Sequence, residues 1–444
     1  MDDPVAPDLL ARAAVRWPDR IALRASVGEW TFGDLDYAAN EIAARVAVGS
    51  RVAFRAEMSP AAIASVWGIP RAGGVAVPLD PRLDVAAAAR LAESLGAEIG
   101  WPPAADPGQT APQRSSGRAA LIVATSGTSG RPRGVVLTAG NIEASAAASR
   151  IHLGTRDSDV WLLAMPLHHV AGLAILWRSA HDGSQIVLHE RFEPAPIAAA
   201  LRSGVTWVSL VPTMLRRLLD SERGPWPGVR GALIGGAHVA DELIVTANRA
   251  GLAAVPTYGM TESGGQVCTV RPGDWEAAAG TVGRPLPGVV VSIAAPPGEP
   301  GVISVAGPAV SPGYIDEPAR SGPLATSDVG CFDGAGRLVV LGRADEVVVT
   351  GGENVHPAVV ERILEGLPGV HDAVVFGLPD EEWGERLVAV VGGESAVPGE
   401  LKGALVNALP GHAIPKEIRV VNELPHLSNG KVDRAAVRKA ASAW

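Results

Sequence analysis

Short apolar runs alternate with amphipathic stretches along most of this chain. The segment WTFGDLDYAANEIAARV, from Trp30 to Val46, reads as a strand edge followed by a capped amphipathic helix. RVAFRAE follows as a strand, a helix begins near Pro60, and GGVAVPLDP supplies another strand. Such alternation predicts a mostly parallel sheet with helices on its faces. VWLLAMP, SQIVLHE, VTWVSLVP, GALIGGA and LAAVPTYG, most of them separated by helical stretches, predict the buried strands of a second α/β layer. From Gly280 dense Gly and Pro interrupt short β runs, which predicts a small barrel or meander, and GRLVVLGRADEVVVTGGENVHP adds a hairpin-like pair. From Pro357 onward the pattern is α+β. The Pro-, Gly- and Ser-rich stretch from Trp101 to Arg118 reads as a loop or boundary. No tandem repeat with a period of about 20–50 residues is visible.

At 444 residues the chain exceeds one ordinary compact domain, so two to four domains or subdomains are expected, at roughly 100–200 residues each. Hydrophobic residues make up 47% and charged residues 19%, a balance that buries a large core and excludes a disordered or fibrous protein. The net charge of −9 argues against nucleic-acid polymers as partners, since these need a basic face. Small anions held by local positive features remain open. Two cysteines, Cys268 and Cys331, make neither a disulfide framework nor a zinc pattern. The start of the chain is acidic and has no apolar core of a signal peptide. The uncharged run Val160–Trp177 reaches the length of a membrane span, but it contains Pro166, His168, His169 and Gly172 and reads better as a buried strand, loop and helix. A cytoplasmic chain without a membrane span is expected, and a homo-oligomer is left open.

Four segments carry candidate chemistry. In LIVATSGTSGRPRGVVLTAGNI an apolar strand enters a run with Thr125, Ser126, Gly127, Thr128, Ser129, Gly130 and Arg133. Glycines let successive backbone N–H groups converge on one anion, and hydroxyls and guanidinium groups add to that, although a plain Gly/Ser surface turn has the same composition. The Walker A spacing is absent. In PTYGMTESGGQ, Tyr258 and Met260 suit a flat ring, while Thr261 and Glu262 suit Mg²⁺ and phosphate; the alternative is a loop with a solvated Glu. In ATSDVGCFDGAGRLVVLGRADE, Asp328 could take the two hydroxyls of a ribose and Arg343 could reach the same nucleotide; each could also be a surface charge. Lys431 stands on an SNGK turn and is either presented into a cleft or solvated. All four lysines fall within the last 43 residues, so a lysine departs from the habit of this Arg-rich chain.

Together and in this order TSGTSGRPRG, YGMTES, TSDVG, GRADE, GGEN and NGK resemble the adenylate-forming superfamily of acyl-CoA synthetases, beetle luciferases and peptide-synthetase adenylation domains, from about Trp30 to Arg434. The resemblance implies a large α/β N-terminal domain (1–344) made of α/β subdomains and a small β-barrel, followed by a small, mobile α+β C-terminal domain (345–444) that carries the catalytic lysine. It implies ATP, Mg²⁺ and coenzyme A as cofactors and co-substrates, and a carboxylic acid as substrate. Lys431, Thr128, Glu262 and His169 are then the catalytic candidates, with Glu262 and Thr128 at the metal. Thr125, Ser126, Gly127, Ser129, Gly130, Arg133, Gly235, Gly236, Ala237, Tyr258, Gly259, Met260, Thr261, Asp328 and Arg343 would surround ATP. His169, Arg178, Gly259, Ser263 and Gly264 would line the acyl pocket. Gly351, Gly352 and Glu353 would line the coenzyme A tunnel after rotation about a hinge at Asp345. Three departures from the family pattern stand out: Arg133 where Lys is usual, Thr138-Ala139-Gly140 before Asn141, and Ala171 where Ser is expected.

The run MPLHHVAGLAILWRSAHDG bears on the acid. A His-x-x-Gly turn opens an apolar helix, and Arg178 lies inside its apolar run. A buried Arg needs a partner. It is either paired within the protein, or it meets a second carboxylate on the substrate.

Overall fold

The structure, a computed structural model, describes residues 8–100, 117–126, 132–393, 396–427 and 431–441. Helix starts follow the capping chemistry written in the sequence. Thr31 and Asp34 form a capping box ahead of helix Phe32–Ala43, Ser59 caps Pro60–Arg71, and Thr138 with Asn141 caps Ala139–Leu153. The Thr138 and Asn141 pairing shows that the departure at 138–140 still builds a helix start.

The apolar runs of the middle region form six mutually parallel strands, in spatial order Ala254–Met260, Gly231–Ile234, Trp207–Leu210, Val160–Leu163, Gln185–Leu188 and Ile21–Ala25. Antiparallel strands Gly265–Thr269 and Arg284–Pro285 extend one edge, and Gly28–Thr31 extends the other. Central strands of such a sheet are covered on both faces, which is why GALI is buried throughout. Fully burying a side chain such as Ile234 contributes about 1.5–3 kcal/mol. A second sheet of six strands runs Gly313–Tyr314, Pro132–Thr138, Ala119–Ser126, Val75–Leu79, Arg51–Arg55 and Glu98–Ile99. The Gly/Pro-rich region supplies the antiparallel meander Val290–Ile293, Gly301–Ala306, Leu324–Phe332 and Leu338–Arg343, which packs Ile303, Val305 and Leu338 against Val267 and Cys268. The uncharged run Val160–Trp177 is a strand, a loop and most of helix Val170–Asp182; no helix among the described residues is long and apolar enough to cross a membrane.

Beyond residue 347 a fourth set of strands, Val348–Thr350, Glu353–Val355, Asp372–Asp380, Gly384–Gly392 and Glu417–Val421, forms its own sheet and shares two apolar clusters with helices Pro357–Glu365, Pro398–Ala408 and Arg434–Ala441. The hairpin-like pair expected across GRLVVLGRADEVVVTGGENVHP is narrower than the sequence suggested. Leu338–Arg343 pairs with Leu324–Phe332, and only Val348–Thr350 and Glu353–Val355 form a hairpin. The turn is made by Gly351 and Gly352, at φ +59° and +85°, where a side chain would be strained. The charged run between the two strands forms the 3₁₀ turn Ala344–Glu346 and carries the chain from one sheet to the next.

Candidate active site

In an open parallel sheet, ligands bind beyond the carboxyl ends of the strands. Three of those ends carry expected site residues. Gly231–Ile234 runs into Gly235, Gly236 and Ala237; Ala254–Met260 ends in the 3₁₀ turn Thr261–Ser263; Val160–Leu163 leads to His168 and His169. Glycine is required at two points. A Cβ on Gly235 would lie 2.6 Å from Thr257 Cγ2, and one on Gly259 would lie 1.6 Å from the carbonyl oxygen of Gly265.

Lys431 enters this crevice from the C-terminal part. A Cβ on Gly236 would lie 3.5 Å from its Cε and 3.9 Å from its Nζ. Burial lowers the lysine pKa, so the ammonium is held at an electrostatic cost that an anion beside it would offset. The same charge acts on His169, whose pKa falls to about 3 through burial first, then through His168 and Lys431. His169 is therefore neutral at ordinary pH. It caps helix Val170–Asp182 without a side-chain bond, and its Nε2 is buried with no partner among the described residues. The His-x-x-Gly spacing has a steric reason: a Cβ on Gly172 would lie 2.5 Å from the carbonyl oxygen of Pro166.

Around the other wall, the Tyr258 hydroxyl donates to Asp328 Oδ2 at 2.6 Å. Burial raises the Asp328 pKa, while Tyr258 and Arg343 pull it back. Arg343 stands opposite Asp328 in the strand register, and its guanidinium binds Asp345 through Nε and Nη2, both at 2.8 Å. Arg343 is thus committed to the residue expected at the hinge. Glu262 Oε1 accepts from the Tyr314 hydroxyl at 2.7 Å, and Arg133 lies 3.4 Å over the Tyr314 ring while pairing with Glu317 at 2.6 Å. Arg133, in the usual lysine position, is exposed and already has a carboxylate partner. Thr125 donates to the Arg133 carbonyl at 3.3 Å. Ser126 ends the preceding strand, while Gly127, Thr128, Ser129 and Gly130 lie outside the described residues. Met260 and Thr261 are half-buried at the strand end. Ser263 is buried and bonds the Met260 and Gly265 backbone, so its hydroxyl is spent on the turn, and Gly264 closes that turn at φ +64°.

Arg178 is 4% exposed, deep on the same helix as His169. Its Nη2 donates to Gln266 Oε1 at 2.9 Å, and its Nη1 is buried with no partner among the described residues. Burial pulls its pKa down to about 10, and Asp182 opposes the shift. No carboxylate forms an ion pair with it among the described residues. Both Gln266 and Arg434 escaped the sequence reading. Arg434 Nη1 donates to Glu361 Oε2 at 3.0 Å and its Nε lies 3.4 Å from Glu346, so it ties the turn beside Asp345 to the segment carrying Lys431.

Gly351, Gly352, Glu353 and Asn354, at the turn of the hairpin and the start of its second strand, are all exposed in this arrangement. A cavity of about 800 Å³ separates the two parts of the chain below His168, with Arg82, Met214, Asp372 and Leu424 in its wall.

Lys431 lies within electrostatic reach of His169, Glu262 within reach of Asp328, and Arg178 is buried on the helix that His169 opens. Comparisons with known proteins agree with that chemistry. Residues 10–101 and 97–315 match the family described as AMP-binding enzyme, and residues 359–431 match the AMP-binding enzyme C-terminal domain. A 2-succinylbenzoate–CoA ligase of Listeria monocytogenes serotype 4b is 35% identical over 334 residues, which is 73% of this chain and 71% of that protein. The ligase of the same name from Bacillus mycoides is 36% identical, over 72% and 70%. The o-succinylbenzoate coenzyme A synthetase of Bacillus subtilis, solved with ATP and magnesium, superposes with a TM-score of 0.88 at 29% identity, over 99% of this chain and all of that one. The same synthetase solved with its acyl-adenylate intermediate gives 0.87 over 98% of both chains.

Proposed function

The chain belongs to the AMP-binding enzyme family, and on that premise we propose that it converts o-succinylbenzoate to its coenzyme A thioester at the expense of ATP, as a step of menaquinone biosynthesis. Two anions, the acid and a triphosphate, must first meet. The observation that carries the reading is Lys431 standing inside the crevice against Gly236, where positive charge is needed before bond making. An oxygen of the succinyl carboxylate attacks the α-phosphorus of ATP, the bond to the β-phosphate oxygen breaks, and pyrophosphate leaves. Lys431 bridges the attacking carboxylate and the phosphate. Glu262, with Oε1 taken by Tyr314 and Oε2 unbonded among the described residues, suits Mg²⁺ held together with phosphate oxygens, and Thr128 would join it there; the ion supplies charge neutralisation. Tyr258, Met260 and the Gly235–Ala237 loop take the base, and Asp328 takes the ribose. His169, neutral beside Lys431, acts as a wall of the acyl pocket in this arrangement rather than as a base.

In the second step the coenzyme A sulfur, having shed its proton, attacks the acyl carbon, and AMP leaves with the bonding pair. Lys431 blocks that approach and has to withdraw. The division at 344/345 and a rotation at Asp345 accomplish this, which brings Gly351, Gly352 and Glu353 toward the pantetheine. The guanidinium of Arg178, buried with no ion-paired carboxylate among the described residues, supports an acid with a second carboxylate.

A cytoplasmic setting, where ATP and coenzyme A are at hand, is part of the proposal, and light scattering on the purified chain decides whether it assembles with itself. The main test is a panel of carboxylic acids with ATP and coenzyme A, read as AMP formation. Turnover confined to monocarboxylic aryl or medium-chain acids would remove the o-succinylbenzoate assignment, and loading of a carrier protein without any need for free coenzyme A would remove the ligase assignment.

A further inference from the structure

Gln266 sits where strand Gly265–Thr269 begins, 6% exposed. All of its polar capacity that the structure records is turned inward. Its Oε1 accepts from Arg178 Nη2 at 2.9 Å and from Ser149 Oγ at 2.8 Å. Its Nε2 donates to Thr269 Oγ1 at 2.8 Å, and that hydroxyl lies 2.8 Å from Thr257 Oγ1. The amide orientation is fixed by this set, because exchanging its ends would set an NH₂ against the guanidinium, donor to donor. One edge of Arg178 is thereby held, and the planar fork can turn its other edge in only one direction. That other edge, Nη1, is fully buried and has no partner among the described residues.

The identity of the residue matters as much as its geometry. A glutamate here would pair with the guanidinium and cancel its charge. A glutamine satisfies one donor and adds no negative charge, so the guanidinium keeps its charge apart from the pull of Asp182. We infer that Gln266 is a positioning residue that decides acid selectivity: it anchors one edge of Arg178 with a neutral amide, so that the other edge and the net charge are kept for a second carboxylate on the acid. The inference rests on the reading that Arg178 meets that carboxylate.

The test compares wild type, Gln266→Glu and Gln266→Met on o-succinylbenzoate and on 4-oxo-4-phenylbutanoate, which lacks only the ring carboxylate, with kcat and KM taken from AMP release. Wild type is expected to prefer the dicarboxylic acid. Gln266→Glu is expected to lower kcat/KM for that acid by roughly 10–100-fold, mostly through KM, as for loss of a charge-assisted bond, and to leave the monocarboxylic acid within about threefold. Gln266→Met, similar in volume and uncharged, keeps the guanidinium but frees its edge, and is expected to show a smaller loss confined to the same acid; it also serves if the glutamate variant fails to fold. Equal losses on both acids, or no change on either, overturn the inference while leaving the role of Arg178 intact. A wild type indifferent to the ring carboxylate overturns the Arg178 reading, and the inference with it.

Discussion

Lys431 stands against Gly236, with its Cε 3.5 Å from where a Cβ on that glycine would be. The two residues are 195 positions apart in the sequence, and only the apposition of the C-terminal sheet to the strand ends of the parallel sheet brings them together.

Lys431→Ala is expected to slow adenylate formation, followed as pyrophosphate release, by roughly 10²–10³-fold, the usual loss for one preorganised charge donor. Thioester formation from a supplied acyl adenylate should stay within about threefold, since the lysine leaves before that step. Equal loss in both halves would contradict a role confined to the first.

Arg434 is expected to matter to the same half-reaction without touching substrate. Arg434→Ala strands Glu361, 4% exposed, whose pKa burial already raises. The stability loss should be about 2–3 kcal/mol, below the usual cost of breaking a fully buried pair because Arg434 is partly solvated, and urea unfolding reads it directly. Pyrophosphate release should fall with Lys431 still present, and Arg434→Lys should restore part of it. Unchanged release in a folded Arg434→Ala variant would remove the tie from the turn at Glu346 to the lysine segment as a functional element.

Much of this was legible from residue types. Capping pairs such as Thr31 with Asp34, the apolar runs that became parallel strands, and the order of the Gly-, Ser- and acid-bearing segments all carry local signals. Gln266 was not legible. A neutral amide shows no charge pattern, and its importance arises from Ser149, Arg178 and Thr269, which local periodicity cannot bring to one place. Arg434 trails a more conspicuous lysine by three residues, and nothing local marks it out. The sequence overstates the width of the hairpin because β-type composition continues on both sides of Arg343–Glu346, and composition does not report which sheet a strand joins. The site roles of Gly127, Thr128, Ser129 and Gly130 rest on sequence alone, because those residues lie outside the described part of the structure.

The bond from Tyr258 to Asp328 gives a third prediction. Tyr258→Phe removes a donor from a buried carboxylate, which costs about 1–3 kcal/mol and raises the Asp328 pKa further. The KM for ATP should rise by roughly tenfold with little change in KM for the acid. A rise shared equally by both substrates would separate Asp328 from the ribose.

Acid should destabilise the fold through its buried histidines. His169 and His238 are both lowered to about 3, chiefly by burial. Unfolded histidines take up protons near 6.5, whereas these two do not until about 3, so the unfolded state binds more protons in between. Their stabilising effect is complete above about pH 6.5 and is lost as the pH falls toward about 3, at about 1.4 kcal/mol per unit for each group. Glu365, raised to about 8 mainly by burial, works in the opposite direction and nearly cancels the histidine loss down to about pH 5.5, so the net loss falls below about pH 5. Urea midpoints at about pH 5 and about pH 4 should show the loss, and His238→Asn should flatten it; an unchanged slope would rule out His238 as a contributor.

The glycine hairpin Gly351–Asn354 faces solvent while Lys431 is enclosed, and both belong to one sheet-and-helix unit. A rigid piece cannot insert both edges at once, so on the proposed mechanism the two chemistries take turns. A tether that froze this arrangement would turn the enzyme into a stoichiometric reagent: a single burst of pyrophosphate, one mixed anhydride stored per molecule, and no further turnover however much thiol is supplied.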